Sequence, residues 1–176
     1  MKPWICLLGL RSSGKTTIGK TLASQLSWKF FDIDQLLVEQ EGKSISELFE
    51  IFGESHFRVL ETQCLFSLPN YNLVLSTGGG MIENREGMKY IRKRATCIYL
   101  DVSLEILIER RKNDPGDRPR LFGARNIEEE YVIALERRSN LLKNAADLVL
   151  QIDQDTSALD ICERIRRGCG LSLIHI

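Results

Sequence analysis

Near the start of the chain, Gly9, Gly14, Lys15 and Thr16 in GLRSSGKTTIG (residues 9–19) have the types and spacing of a phosphate-binding loop, G-x-x-x-x-G-K-[ST]. Backbone N–H groups of such a loop surround a phosphate, with the positive end of the following helix dipole behind them. Ser12, Ser13, Gly14, Lys15, Thr16 and Thr17 are the expected nucleotide contacts. Lys15 is placed to reach the β- and γ-phosphates, and the Thr16 hydroxyl to ligate Mg²⁺. A Gly/Ser turn with a chance lysine would need no particular flanks. Here WICLLG reads as a buried strand, and KTTIGKTLASQL places Ile18, Leu22, Ala23 and Leu26 at helical spacing, so the motif has the strand–loop–helix setting its mechanism requires.

Three further groups could face that loop. FFDIDQ ends a strand-like run with Asp32 and Asp34, two residues apart and so on one side of an extended chain. Asp32 could hold Mg²⁺, directly or through water, and Asp34 could accept a proton from a substrate hydroxyl; an equally good local reading makes Asp34 a helix N-cap. STGGGM (76–81) follows another strand, and three successive glycines suit close approach of backbone N–H groups to a ligand better than a simple turn. In FGESHFRVLE, Arg58 stands four residues after Glu54 and three before Glu61. That spacing fits a surface ion pair and a bidentate carboxylate reader equally well. Asp101, ending CIYLD, reads as a helix cap before SLEILIERR.

The elements that position these groups alternate. Strand-like runs WICLLG, KFFDID, NLVLST, ATCIYLD and DLVLQID are separated by helical patterns around 15–27, 34–41, 44–51, 54–67, 84–93, 103–112, 125–145 and 156–167. Strands alternating with helices predict an α/β fold with a parallel sheet covered on both faces. RRKNDPGDRPRLFGARN (110–126), rich in charge, proline and glycine, is no core element; in a nucleotide enzyme it is a candidate lid. The 176 residues, 43% hydrophobic and 27% charged, read as one domain. Lys+Arg and Asp+Glu both number 24, so no global field favours nucleic acid or a membrane. No apolar run approaches the roughly 20 residues of a membrane span, and a cleaved leader would remove the loop's own strand. Five scattered cysteines without a C-x-x-C pair read as reduced thiols of a cytoplasmic protein.

Taken together, the order and spacing of GLRSSGKTTIGK, DID, GESHFRVLE, STGGGM, DRPRL and ERRSNLLKNAADLVL resemble shikimate kinase, a small monomeric family with the nucleoside monophosphate kinase-like P-loop fold. The resemblance implies a three-layer α/β/α domain over 1–176, with a five-stranded parallel sheet in the order 2-3-1-4-5. Substrate-binding helices would lie at about 33–61 and a lid at about 112–124. It implies transfer of the ATP γ-phosphoryl group to the 3-hydroxyl of shikimate, with Mg²⁺ as cofactor. Asp34, Arg58, Gly78, Gly79, Gly80 and Arg138 would bind shikimate, the two arginines holding its carboxylate. Thr16 and Asp32 would organise the metal. Arg118 would close over the phosphoryl group, making Lys15, Asp34 and Arg118 the catalytic set. Arg111 would lie against adenine, whose other wall would come from the loop after LVLQID.

The chain departs from the family pattern in two places. Its lid reads Arg118, Pro119, Arg120, Leu121 where Arg-Pro-Leu-Leu is usual, which adds a charge that could change lid packing or contact phosphate. Asn140 and Leu142 stand where the arginine segment usually has Pro and Tyr, and Arg137 adjoins the favoured Arg138. Three rivals remain: a regulatory GTPase, a related metabolite kinase such as a gluconate kinase, and a non-catalytic nucleotide binder. The first lacks its Asn-Lys-x-Asp guanine motif here.

Overall fold

The computed structural model describes residues 2–113, 120–154 and 156–171. Five strands, β1 (Trp4–Leu8), β2 (Lys29–Asp32), β3 (Leu73–Ser76), β4 (Ala95–Val102) and β5 (Leu148–Ile152), form one parallel sheet in the order β2-β3-β1-β4-β5. That is the order the family resemblance implies. All five residues of β1 and all four of β3 are buried, as expected of unbroken apolar strands covered on both faces.

Among the described residues seven α-helices surround the sheet: α1 (Lys15–Leu26), α2 (Ile33–Glu41), α3 (Ile45–Phe66), α4 (Arg85–Arg94), α5 (Leu104–Asn113), α6 (Ile127–Ala145) and α7 (Ala158–Cys169). Helices α1 and α7 pack together over β1–β3 and β5, while α4 and α6 lie on β4. The two helical patterns expected on either side of Gly53 are both present within α3 and meet at a kink, where Gly53 is non-helical with φ 74° and ψ 170°. The buried apolar side chains form one contiguous core around β1, β3 and β4. Among the described residues no helix is long and apolar enough to cross a membrane.

Register decides what meets at the sheet's carboxyl edge. Asp32 on β2 aligns with Ser76 on β3, and Ser76 with Leu7 on β1. The segments leaving these three strands, at 9–14, 32–34 and 77–80, therefore emerge side by side. Open parallel sheets bind their ligands at this edge.

Candidate active site

Helix α1 begins directly behind the Gly-rich loop and spends none of its first N–H groups on a side-chain cap; its N-cap Gly14 is left-handed, with φ 90°. By contrast, Asp32, Ser44, Asn84, Asn126 and Ser157 cap α2, α3, α4, α6 and α7. Unspent N–H groups and the dipole make the start of α1 an anion site. A cavity of about 580 Å³ opens in front of it, lined by Ser12, Gly14, Lys15, Thr16, Thr17, Asp32 and Asp34 together with Arg110, Arg111 and Thr156; Arg110 Nη1 donates to the Ser12 carbonyl at 3.4 Å. Arg111 is buried there, opposite the segment that follows β5.

Lys15 is itself buried, its Nζ donating to the carbonyls of Gly9 (3.0 Å) and Leu10 (2.7 Å) and to Ser13 Oγ (3.3 Å). The ammonium thus closes the loop on itself and sits where a phosphate would meet it. Ser13 does not line the cavity: its side chain turns inward to Lys15, because the loop needs that hydroxyl as an acceptor for the buried ammonium. Thr16 Oγ1 donates to Asp32 Oδ2 at 2.7 Å. A hydroxyl and a carboxylate side by side in a phosphate cavity are the hard oxygen donors Mg²⁺ takes, and this ion needs only one or two protein oxygens beside phosphate.

The two aspartates reach the cavity by a different route from simple strand alternation. The strand ends at Asp32, whose Oδ1 accepts from the N–H groups of Asp34 (3.1 Å) and Gln35 (3.4 Å), so Asp32 is the N-cap of α2 and Asp34 is not. Asp34 sits in the first helical turn, buried, against the glycine turn: a Cβ on Gly78 would lie 2.8 Å from its Oδ1 and 2.9 Å from Glu61 Oε1. Nor is Asp101 a helix cap. It lies within β4, accepts from Tyr99 Oη (2.9 Å) and pairs with Lys143 (3.7 Å), leaving Ser103 to precede α5.

Beyond the glycine turn lies a second cavity, of about 40 Å³, lined by Phe49, Phe57, Arg58, Glu61, Gly78–Gly80 and Arg138, with Arg11 and Leu121 at its edges. Arg58 is more than a surface ion pair. It donates to Glu54 (3.0 Å) and to the fully buried Glu61 (2.7 Å), and its guanidinium covers Gly80 so closely that no Cβ fits there. Arg138 is buried, and its Nε and Nη2 donate to Glu83 Oε2 at 2.9 and 2.5 Å. Its exposed neighbour Arg137 lines neither cavity. Phe122 stacks on both guanidinium groups, 4.9 Å from Arg138 and 4.7 Å from Arg137.

Arg118 lies outside the described residues, so only the ends of the expected lid, 112–113 and 120–124, have a described conformation. Arg120 is exposed and donates to the Arg125 carbonyl, a packing bond within its own segment, and it lines neither cavity. Sequence reading passed over Arg11, Arg110 and Glu83 altogether. It also saw Glu61 only as a neighbour in an ion pair. Arg11 fills a free position of the loop motif, and the others are brought in by tertiary packing; only the apolar neighbours of Glu61 hinted at burial.

Burial pushes the Glu61 carboxyl from the usual 4.5 up to about 7, against the opposing pull of Arg58 and with a further push from Asp34. Folding therefore favours its protonated form. The resulting stability is complete below pH 4.5 and is lost as pH rises through 7. Glu61→Gln cannot ionise, so relative to wild type it should gain stability between pH 5 and pH 8, by on the order of 2–3 kcal/mol. Urea unfolding of both proteins at the two pH values measures this; parallel curves would remove Glu61 from the titrating groups.

A parallel sheet with this strand order, an uncapped helix behind a lysine-bearing Gly-rich loop and a second cavity beside it define a P-loop phosphotransferase. The shikimate kinase family model matches residues 11–167. Shikimate kinase from Sulfurihydrogenibium sp. is 39% identical over 167 residues, covering 93% of this chain and 98% of that protein. Shikimate kinase from Microcystis aeruginosa is 40% identical over 162 residues, covering 92% and 83%. The structure of shikimate kinase from Acinetobacter baumannii in complex with shikimate superposes with a TM-score of 0.88 at 32% identity, over 95% of this chain and 92% of that one. The chain belongs to the shikimate kinase family and is an ATP-dependent kinase.

Proposed function

We propose that this chain transfers the γ-phosphoryl group of ATP to the 3-hydroxyl of shikimate, giving shikimate 3-phosphate for aromatic amino acid biosynthesis. The observation that carries the reading is the second cavity. Arg58, Arg138 and Gly78–Gly80 line it, and the buried Asp34 of the neighbouring phosphate cavity approaches the same glycine turn, 2.8 Å from a Cβ placed on Gly78. Such a site suits a small molecule with a carboxylate at one end and hydroxyls at the other.

In this reading the arginines hold the acceptor's carboxylate by paired N–H···O bonds. Asp34 takes a hydrogen bond from the reacting hydroxyl and receives its proton as the new P–O bond forms. The bond from the γ-phosphorus to the bridging oxygen breaks, and ADP leaves with that electron pair. Lys15 and the N–H groups of α1 hold the β- and γ-phosphates, and little else is required, because phosphoryl transfer is mainly positioning and charge neutralisation. Thr16 and Asp32 would hold Mg²⁺, which neutralises phosphate charge when bound. Arg111 would lie along the adenine, and Arg118 is assigned to the phosphoryl group by its place in DRPRL. The same reading makes the enzyme a cytoplasmic monomer, in keeping with five unpaired cysteines.

ATP consumption measured against a panel of hydroxy acids tests the function. Turnover with shikimate and not with gluconate is expected; the reverse would transfer the assignment to the gluconate kinases. The glycine turn offers a finer test. Gly80→Ala drives a methyl group into the Arg58 guanidinium. Overpacking of this kind costs about 1–3 kcal/mol, so the KM for shikimate should rise about tenfold while the KM for ATP holds. Unchanged constants would mean that Arg58 moves aside without loss.

A further inference from the structure

Arg138 stands in the wall of the acceptor cavity with its charge already matched. Its side chain is 3% exposed, and among the described residues it bonds one carboxylate, that of Glu83. Nε and Nη2 both donate to the same oxygen, Glu83 Oε2, so two of the five guanidinium donors go to a single acceptor. A ligand carboxylate that approaches Arg138 therefore meets a cation that has a partner. Sharing would set two carboxylates on one buried guanidinium, where the weak local screening makes their repulsion strong. One of the two must leave.

The two members of the pair are held unequally. Helix α6, which carries Arg138, is tied to the phosphate loop: Glu130 Oε1 accepts from Arg11 Nη1 at 3.3 Å, and Tyr131 Oη donates to Ser12 Oγ at 2.9 Å. The Phe122 ring covers the Arg138 guanidinium at 4.9 Å. The cation thus stays at the site and stays buried. Glu83, at 32% exposure, ends the three-residue 3-10 turn Met81–Glu83 directly after the glycines, and its side chain can turn out into water. Arg58 is placed differently. Its exposed partner Glu54 is well solvated at 62%, so that bond is screened and weak, and fully buried Glu61 remains beside it. The Arg138–Glu83 pair is the one whose exchange decides how tightly an acid binds.

We infer that Glu83 is an internal competitor for the acceptor's carboxylate: it neutralises buried Arg138 while no acid is bound, and turns out into water when a ligand carboxylate takes its place. It is a residue that sets affinity by acting through Arg138. Small anions with no further contacts do not displace it, whereas an acid that also fills the cavity does. When the product leaves, Glu83 returns, so the buried guanidinium is never without a counter-ion. The inference rests on the proposed reaction, in which the acceptor is the acid shikimate.

Titration calorimetry with shikimate and with its uncharged carboxamide is carried out on wild type, Glu83→Gln and Glu83→Asp, each beside its thermal unfolding midpoint. Glu83→Gln should bind shikimate about five- to tenfold more tightly, because the competing charge is gone. It should unfold at a lower midpoint, because Arg138 loses its counter-ion. Carboxamide binding should stay as in wild type, since a neutral ligand leaves Glu83 on Arg138. Higher affinity together with lower stability is a pairing that a merely structural residue would not produce. Glu83→Asp, which keeps the charge at shorter reach, should fall between, and carries the test alone if the glutamine variant does not fold. Unchanged or weaker shikimate binding, an equal gain for the carboxamide, an unchanged midpoint, or loss of folding in both variants overturns the inference and leaves the proposed function standing. Failure of wild type to bind shikimate overturns both.

Discussion

Lys15→Ala is expected to abolish phosphoryl transfer, with kcat lowered by about a thousandfold or more, in a chain that still folds. Withdrawing a fixed charge from the site where phosphate charge shifts costs on the order of 4 kcal/mol or more in activation free energy. Folding should survive because the lysine belongs to the loop and not to the apolar core. Its Nζ nonetheless joins the carbonyls of Gly9 and Leu10 to Ser13 Oγ. The variant should lose about 1–2 kcal/mol of stability as these acceptors turn to water. Turnover and urea unfolding on the same preparation decide the matter. An unfolded variant would make Lys15 a structural post, and unchanged turnover would remove it from the chemistry.

Arg58→Ala should weaken shikimate binding by tens- to a thousandfold and leave ATP affinity nearly unchanged. Loss of a bidentate, charged contact in a partly dry cavity costs on the order of 2–4 kcal/mol. Part of the measured loss has another origin, however. Arg58 is the cation bonded to buried Glu61, and its removal leaves that carboxyl to take up a proton. The double variant Arg58→Ala/Glu61→Gln separates these contributions. If it binds shikimate as poorly as Arg58→Ala does, the guanidinium reads the ligand directly; recovery of affinity would mean that Arg58 serves mainly to keep Glu61 in order. Calorimetric titration of each ligand gives both answers.

Where chemistry depends on backbone and near neighbours, this sequence could be read. The strand–loop–helix around Lys15, the alternation of elements and the close approach at Gly78–Gly80 all follow from local composition, and the strand order came from the family resemblance. What depended on packing was hidden. The N-cap role open to Asp34 falls to Asp32, because the chain turns helical at Ile33, one residue earlier than the pattern suggests. The choice between adjacent arginines, 137 and 138, needs the orientation of α6 on the sheet, which spacing alone does not supply. Arg11, Arg110 and Glu83 occupy positions that any polar residue could fill in sequence; packing of α5 brings Arg110 onto the Ser12 carbonyl, and packing of α6 brings Arg138 onto Glu83.

Helix α6 does more than cover the sheet. Glu130 and Tyr131 grip the phosphate loop near its start, and Arg138 enters the acceptor cavity about two turns later. Seven or eight residues at 1.5 Å each make an unbroken rod of about 10–12 Å between those points. In the proposed reaction the helix would act as a calliper between the donor and acceptor ends, with its span fixed by peptide geometry. One residue inserted between 131 and 138 would turn Arg138 through about 100° and lengthen the span. Side chains on the outer face can change freely, whereas the number of residues between the two contact points cannot.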